Sequence, residues 1–569
     1  MSETLPLYPK APKSTDKWNI AKKFVYGLIV ILVFTYSLDY FTTSAEPTNP
    51  DSFCPLVPKI KATHDEDVID MILNDKKFRK QSTERWSDSV KIPTVLFDGT
   101  IHADAVEDKE ELYKLEPLWK NFEKFHDFLN ETYPLVHKKT KVEKVNKFGL
   151  IYTWEGKNSS LQPIFLNAHQ DVVPVEETTI DQWSFPPFEG VESNGFVYGR
   201  GVSDCKNLLI GIMETIELLL QNKFKPERTI IIGFGYDEES AGLGAKAIAD
   251  FLLDRYGPQS IYMLIDEGSE GFMEIGGTKF IAPATSEKGY LDSQIDLFTP
   301  GGHSSVPPKN TGIGIMSRLI TLIEDTEFKS MVTNGNPTLG LLQCMAEHSN
   351  IEKSLKSDIL RAQFDVEANA RLVHYLINEG GEQKAVISTS QAVDMITGGV
   401  KSNALPEHVS AVVNHRIAFE ESVQSTSEKI LGNIQEIAER FELGIIMDGK
   451  VLVEPTKNGY FNYTLREALE PAPVTATGTE VWNLFGGSLR YFYEDIMFPK
   501  LNETYVVSPL LAGGNTDTKS YWDLTTNIFR YQPGTGFEDS NIHSVDEMYP
   551  IDGHLAVIAF YYFFLQNLH

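Results

Sequence analysis

Cysteine is scarce in this chain, with three in 569 residues. Cys54, Cys205 and Cys344 do not make a disulfide scaffold, so a packed core has to hold the fold. A Cys54–Cys344 bridge is left open but disfavoured, and Cys205 reads as a small packing residue. Positive charge is also in deficit, with 51 Lys and Arg against 79 Asp and Glu and a formal net charge of −28. That balance argues against nucleic acid as a partner and against adhesion to anionic lipid. It fits solubility and says nothing about substrate. Internal repeats and low-complexity segments are missing. An apolar share of 42% is globular, and the length exceeds one ordinary core, so two domains are expected.

Long apolar runs are few. Phe24 to Leu38 carries no charge, follows Lys10, Lys13, Lys17, Lys22 and Lys23, and precedes Asp39 and Glu46. Positive-inside logic then gives a cytosolic tail at 1–23, a signal anchor at 24–45 and everything else across the membrane. The run is shorter than the roughly 20 residues that span comfortably, and Tyr40 to Ala45 would extend it. A cleaved signal peptide, processed at Thr43-Ser-Ala45, is the rival; the lysine-bearing leader favours the anchor. Pro47, Pro50, Pro55 and Pro58 make 46–60 a stalk. The apolar run Leu555 to Leu565 is too short to span and reads as a buried helix. Four sequons, at Asn130, Asn158, Asn462 and Asn502, are about as many as chance supplies, so they permit glycosylation without diagnosing it.

Against this plain background, three apolar runs each end in acids or a histidine. Pro163 leads through Ile-Phe-Leu-Asn-Ala to His169 and Asp171; Thr229 leads through Ile-Ile-Ile-Gly-Phe-Gly to Glu238 and Glu239; Ile261 leads through Tyr-Met-Leu-Ile to Asp266 and Glu267. Such runs read as buried strands of a parallel sheet, and chemistry in open α/β sheets collects at the carboxyl ends of strands. Asp204 sits at the mouth of a helix whose Leu208, Leu209, Ile212, Ile216 and Leu219 recur at helical spacing. His543 adds a second imidazole far downstream. Two imidazoles and three carboxylates form a nitrogen/oxygen set suited to zinc, cobalt or manganese and poor for calcium.

Each residue also has a plainer reading. His169 alone is a packed or surface histidine; Asp204 is a helix N-cap; Glu238 and Glu239 are a solvated helix start; Asp266 is turn chemistry, with Glu267 an adjacent rival. Their joint placement at strand ends favours the site. Asp171, two residues after His169, shares its face on a strand and would fix the imidazole tautomer. The catalytic part would span 61–288 and 471–569, interrupted by an α+β lid at 289–470 that begins with Gly289 to Phe298 and includes alternating Ala411 to Ile417 and a helix over Ser422 to Arg440.

The runs His169-Gln-Asp171, Gly199-Arg-Gly-Val-Ser-Asp204-Cys-Lys-Asn207, Asp237-Glu-Glu239, Asp266-Glu-Gly268, Gly301-Gly-His-Ser-Ser305 and Ile542-His-Ser-Val-Asp-Glu547, in that order, resemble the aminoacylase/carboxypeptidase family of co-catalytic zinc peptidases. Within it the chain is most similar to the fungal vacuolar Gly-X carboxypeptidases, through Trp183 to Phe188, His303 to Pro308, Gln391 to Asp394 and Gly514 to Lys519. The resemblance runs from about Phe53 to the C-terminus. It implies an α/β zinc-exopeptidase-like domain with a mixed sheet flanked by helices, an inserted α+β lid that can dimerise, and two zinc ions per subunit. His169, Asp204 and Asp266 would hold one ion, and Asp204, Glu239 and His543 the other. Glu238 would be the general base, and His303, often supplied by a partner subunit, would polarise the scissile carbonyl. Arg416 would grip the substrate carboxylate, with Asn403 and the loop Gly513-Gly514-Asn515-Thr516 lining the cavity.

The activity so implied is a vacuolar, membrane-anchored metallo-carboxypeptidase, with release of a soluble lumenal form left open, acting on small peptides with a free C-terminal carboxylate and glycine at the penultimate position. N-acyl-amino-acid hydrolysis is the sister chemistry. An inactive receptor-like ectodomain is a third reading, countered by the presence of all five ligands and Glu238.

Overall fold

The computed structural model describes residues 52–268, 271–535 and 540–568. The expected tail and anchor and the first part of the stalk lie outside the described residues. Among those described, no helix is long and apolar enough to cross a membrane.

The acid-ended runs become neighbouring strands. Ile230–Gly235, Ile164–His169, Met263–Asp266 and Ile528–Arg530 run parallel through the middle of an eight-stranded sheet. All four are buried on both faces, which is why they read as continuous apolar runs and do not alternate. An antiparallel pair, Lys141–Val145 and Gly149–Trp154, closes one edge. Ala284–Glu287, antiparallel to Ile528–Arg530, and then Leu510–Ala512 close the other. The sheet is therefore mixed. The last two strands come from beyond the second sheet in sequence or just before it, so the chain returns to complete the first sheet.

Helices Lys206–Gln221 and Ile551–Gln566 pack against each other within the large core cluster on one side of this sheet, and Leu243–Tyr256 belongs to the core on the other. Every residue from Leu555 to Leu565 is buried, so the helix is apolar all round because protein surrounds it. A Cβ at Gly211 would come 2.7 Å from Val557 Cγ1; the glycine lets the two helices approach.

A six-stranded sheet holds Ser390–Gly398, His408–Ile417, Gly289–Phe298, Tyr460–Leu469, Gly444–Met447 and Lys450–Val453 in that order. Helices Gly312–Asp325 and Val423–Phe441 share its core. Ser422 caps the second helix, and its hydroxyl and that of Ser425 satisfy each other's backbone amides in a capping box. Helices between Pro337 and Glu379 build a smaller core of their own.

Two expectations need correction here. Cys54 and Cys344 are disulfide-bonded; a separation of 290 residues carries no geometric information, so sequence alone could not favour the bridge. The end of the expected stalk is also packed against the protein. Glu347 accepts from Phe53 N (2.7 Å) and Cys54 N (3.2 Å), and Val57 is buried. Of the sequons, Asn130, Asn158 and Asn502 are exposed, whereas Asn462 is half-buried in the six-stranded sheet.

Candidate metal centre

The parallel strands end on one edge, and there the acids and imidazoles converge. His169 is the last residue of its strand and is buried. Its Nε2 lies 3.0 Å from Asp204 Oδ1, and His543 Nε2 lies 3.2 Å from Asp204 Oδ2. One carboxylate thus stands between two imidazoles. His543 Nε2 is also 3.0 Å from Glu239 Oε1. Glu238 joins His169 and Glu239 in a close donor group.

Asp171 ties this cluster together. Its backbone carbonyl is hydrogen-bonded to His169 Nδ1 (3.0 Å), with Oδ1 3.3 Å from the same nitrogen; Oδ1 accepts from Glu238 N (3.1 Å) and Oδ2 from Glu239 N (3.0 Å). One buried aspartate thereby fixes both an imidazole ring and the turn carrying the glutamates.

Asp204 does not cap its helix. The N-cap position falls on Cys205, with no side-chain cap bond, and the Asp204–Cys205 peptide is cis. Asp204 is held by Glu547, a residue the sequence reading left without a role. Glu547 Oε1 accepts from Gly201 N (3.0 Å), Ser203 N (3.0 Å) and Asp204 N (3.3 Å), and Oε2 from Arg200 Nη1 (2.7 Å). Its place four residues after His543, in the same loop, was the available signal. Gly201 has a φ of +84°, and a Cβ there would meet Val172 Cγ1 at 2.3 Å, so this loop needs its glycine.

Asp266, expected as a ligand, stands further from the imidazole cluster than its neighbour. Its Oδ1 accepts from Asn167 Nδ2 (2.9 Å) and Glu267 N (2.8 Å), and its buried Oδ2 has no hydrogen-bond partner among the described residues. Glu267 Oε2 is the one 3.3 Å from His169 Nε2, and it groups with His169 and Asp204. The strand ends at Asp266, and Glu267, the first residue beyond it, turns toward His169.

His303 and Asn403 are not brought to this place. Both are exposed and lie at a small two-stranded antiparallel ribbon, where His303 pairs with Ala404 and its Nδ1 accepts from Ser305 N (3.1 Å). Arg416 and Gly514, in contrast, line the same cavity of about 1090 Å³ as Asp204, Glu238, Glu239 and His543. Arg416 stacks over Tyr290 and donates to Asn515 Oδ1 (3.1 Å).

The electrostatics are those of a cradle for cations. Among the described residues no lysine or arginine pairs with Asp204, Glu239 or Glu267; each meets only histidine. Burial, with Glu267 nearby, pushes Glu238 well above the usual carboxylate range. Burial and the charge of Asp204 raise Glu239 to about 7. The bonds from Asp204 and Glu239 raise His543 to about 10. Cys205 Sγ accepts from His169 N (3.2 Å), and burial raises its thiol, which fits packing better than ligation. Imidazoles and carboxylates converging without a compensating cation fit a pair of divalent ions.

Acids and histidines gathered at the carboxyl edge of a parallel sheet, facing a cavity, define a metal-dependent hydrolase. The chain matches the model of peptidase family M20/M25/M40 over residues 165–567 and belongs to that family. It is 40% identical to carboxypeptidase S of Saccharomyces cerevisiae across 98% of each chain. It is 30% identical to the N-fatty-acyl-amino acid synthase/hydrolase PM20D1 of Mus musculus, covering 78% of this chain and 82% of that one. In fold it is similar to the dipeptidase Dug1p of Saccharomyces cerevisiae (TM-score 0.59, 14% identity, 89% of this chain and 98% of that one). It is similar also to the metallo-carboxypeptidase Sso-CP2 of Sulfolobus solfataricus (TM-score 0.54, 16% identity, 85% and 98%).

Proposed function

We propose that this metallo-carboxypeptidase uses two zinc ions to remove the last residue of small peptides, with glycine preferred at the penultimate position. The observation that carries the reading is a cavity lined by Asp204, Glu239 and His543 on one side and Arg416 on another, with His169 buried behind Asp204 at 3.0 Å. A cation for a terminal carboxylate and an acidic cradle for metals share one space. His169, Asp204 and Glu267 would hold one ion, and Asp204, Glu239 and His543 the other. When bound, the ions would supply Lewis acidity and a lowered water pKa.

The remaining steps belong to the chain. Arg416 holds the terminal carboxylate and so places the scissile amide over the edge of the sheet. Glu238, which among the described residues pairs with no lysine or arginine, takes a proton from the attacking water on its carboxylate and returns it to the departing amine nitrogen. Asp171 keeps Glu238 and His169 in register for that transfer. His303 would polarise the scissile carbonyl from a partner subunit across the lid, because its own two-stranded ribbon lies outside the cavity; a homodimer follows, and sedimentation tests it.

The compartment we propose is the vacuolar lumen, reached on the anchor at 24–45. The Cys54–Cys344 bridge suits an oxidising lumen. N-acyl-amino-acid hydrolysis is the second reading, favoured by the likeness to PM20D1 and served by the same Arg416. The deciding experiment compares an N-blocked Gly-Leu dipeptide with an N-acyl leucine, each with and without chelator. Faster, chelator-sensitive turnover of the dipeptide is expected, and preference for the N-acyl leucine would refute the peptide reading.

A further inference from the structure

We propose that Arg530, assisted by Gln532, is a second reader of the substrate's terminal carboxylate, set in the floor of the cavity beneath the reach of Arg416. The inference rests on the carboxypeptidase reading above.

Arg530 ends the strand Ile528–Arg530 and pairs in register with Asp266 of the strand beside it. It lines the cavity together with Gln532, Glu267, Glu287 and Arg416. Arg530 and Gln532 are each only 1% exposed. The guanidinium is fixed from one side: Nε donates to Thr518 Oγ1 (3.0 Å), and Nη2 lies 3.1 Å from Glu287 Oε2. Glu287 in turn accepts from Thr516 Oγ1 (2.8 Å) and Thr518 Oγ1 (3.0 Å). Among the described residues, Arg530 Nη1 and Nη2 and Gln532 Nε2 have no hydrogen-bond partner. Buried donors of this kind are rare and costly unless something satisfies them. A planar guanidinium with a neighbouring amide N–H is the donor set that a carboxylate accepts best.

The place fits that ligand. Across the sheet, the strand of Arg530 lies between the one that ends beside Glu267 and the one that ends in Glu287. Past Glu287, the edge strand Leu510–Ala512 runs into the loop whose Asn515 holds Arg416. The terminal carboxylate of a peptide is one residue from the scissile carbonyl, roughly 4 Å away. A substrate with its scissile amide at the metal ligands therefore brings its carboxylate over Arg530 before it reaches the edge loop. Arg416 then closes on the same group from the lid. Two arginines from two sheets reading one carboxylate would make the enzyme reject internal and amidated peptide ends.

The test uses the metal-loaded full chain. The KM for an N-blocked Gly-Leu dipeptide is measured beside the competitive Ki values of leucine and of leucinamide, for wild type, Arg530→Gln, Arg530→Lys and Gln532→Met. Arg530→Gln should raise KM and the leucine Ki by about 10- to 100-fold while leaving the leucinamide Ki unchanged. Arg530→Lys, which keeps a charge for Glu287, should recover part of the loss. Gln532→Met leaves Glu287 untouched and should shift the same two constants by a smaller factor. If leucine and leucinamide weaken together, or neither moves while the melting temperature falls, Arg530 only braces Glu287 and the proposal is overturned. A wild-type protein that cleaves no peptide would instead overturn the carboxypeptidase reading, and the subsite with it, before any variant is compared.

Discussion

Glu547→Gln isolates a residue that is proposed to touch neither metal nor substrate. The wild-type carboxylate receives three backbone amides on one oxygen and Arg200 on the other, all in a buried setting. Glutamine has one acceptor and an NH₂. With its oxygen on the amides, the NH₂ faces Arg200 donor to donor; turned round, it faces three N–H groups. Either orientation loses a charge-assisted bond, worth about 1.5–3 kcal/mol, and strands a buried polar group at about 1–3 kcal/mol. Breaking a buried ion pair as a whole costs about 3–5 kcal/mol. Arg200 keeps its stack on Trp183, which offsets a little. The residue that loosens is Asp204, so part of the loss should appear as weaker metal binding, about 10- to 100-fold. Chelator competition gives the affinity and denaturant melts give the stability. An affinity within twofold of wild type would refute the claim that Glu547 sets the position of Asp204.

Glu238→Gln should keep both metals and lower kcat by about 10²- to 10⁴-fold, since proton transfer alone is lost; elemental analysis beside kinetics checks it, and substantial residual activity would reassign the base. Cys54→Ser with Cys344→Ser should cost about 2–5 kcal/mol in denaturant melts while sparing metal content, and a melt insensitive to both the substitutions and added reductant would show the bridge to be idle. Glu123, although burial opposes its ionisation, is held at about 2 by Lys109 and Lys144. A lowered carboxylate contributes stability above its unfolded value of about 4.3, and that stability is lost as pH falls toward 2. Glu123→Gln should therefore flatten the acid limb of the stability curve between those values, and an unchanged limb would contradict the assignment.

The sheet was legible because its central strands are buried on both faces and so print as apolar runs. The buried terminal helix was legible for the same reason. What stayed hidden depends on contacts between distant segments. Glu547 stood in a loop already noticed, yet nothing in sequence says that it reaches Gly201 some 346 residues away. Asp204 looked like a helix cap, and the structure puts that position on Cys205. His543 has a φ of +59°, a left-handed conformation that a histidine adopts only when its surroundings hold it there. His303 and Asn403 meet at a two-stranded ribbon made from segments about a hundred residues apart, and sequence cannot say which cavity, or whose, that ribbon faces.

Asp266 and Glu267 mark the limit most sharply. Both are acids, both follow the same apolar run, and a shift of one residue reverses the face. Sequence could carry either to the centre. The structure separates them by their partners: Asp266 Oδ1 is occupied by Asn167 and by the amide of Glu267, whereas Glu267 approaches His169. The consequence is testable by paired substitutions. Asp266→Asn retains an Oδ1 that can accept both existing bonds, so metal stoichiometry should hold and turnover should change only modestly. Glu267→Gln removes a charge beside His169 and should release one of the two ions, or weaken it at least tenfold in chelator competition. The reverse pattern, with the ion lost on substituting Asp266 and kept on substituting Glu267, would return the ligand role to Asp266 and refute the geometric assignment.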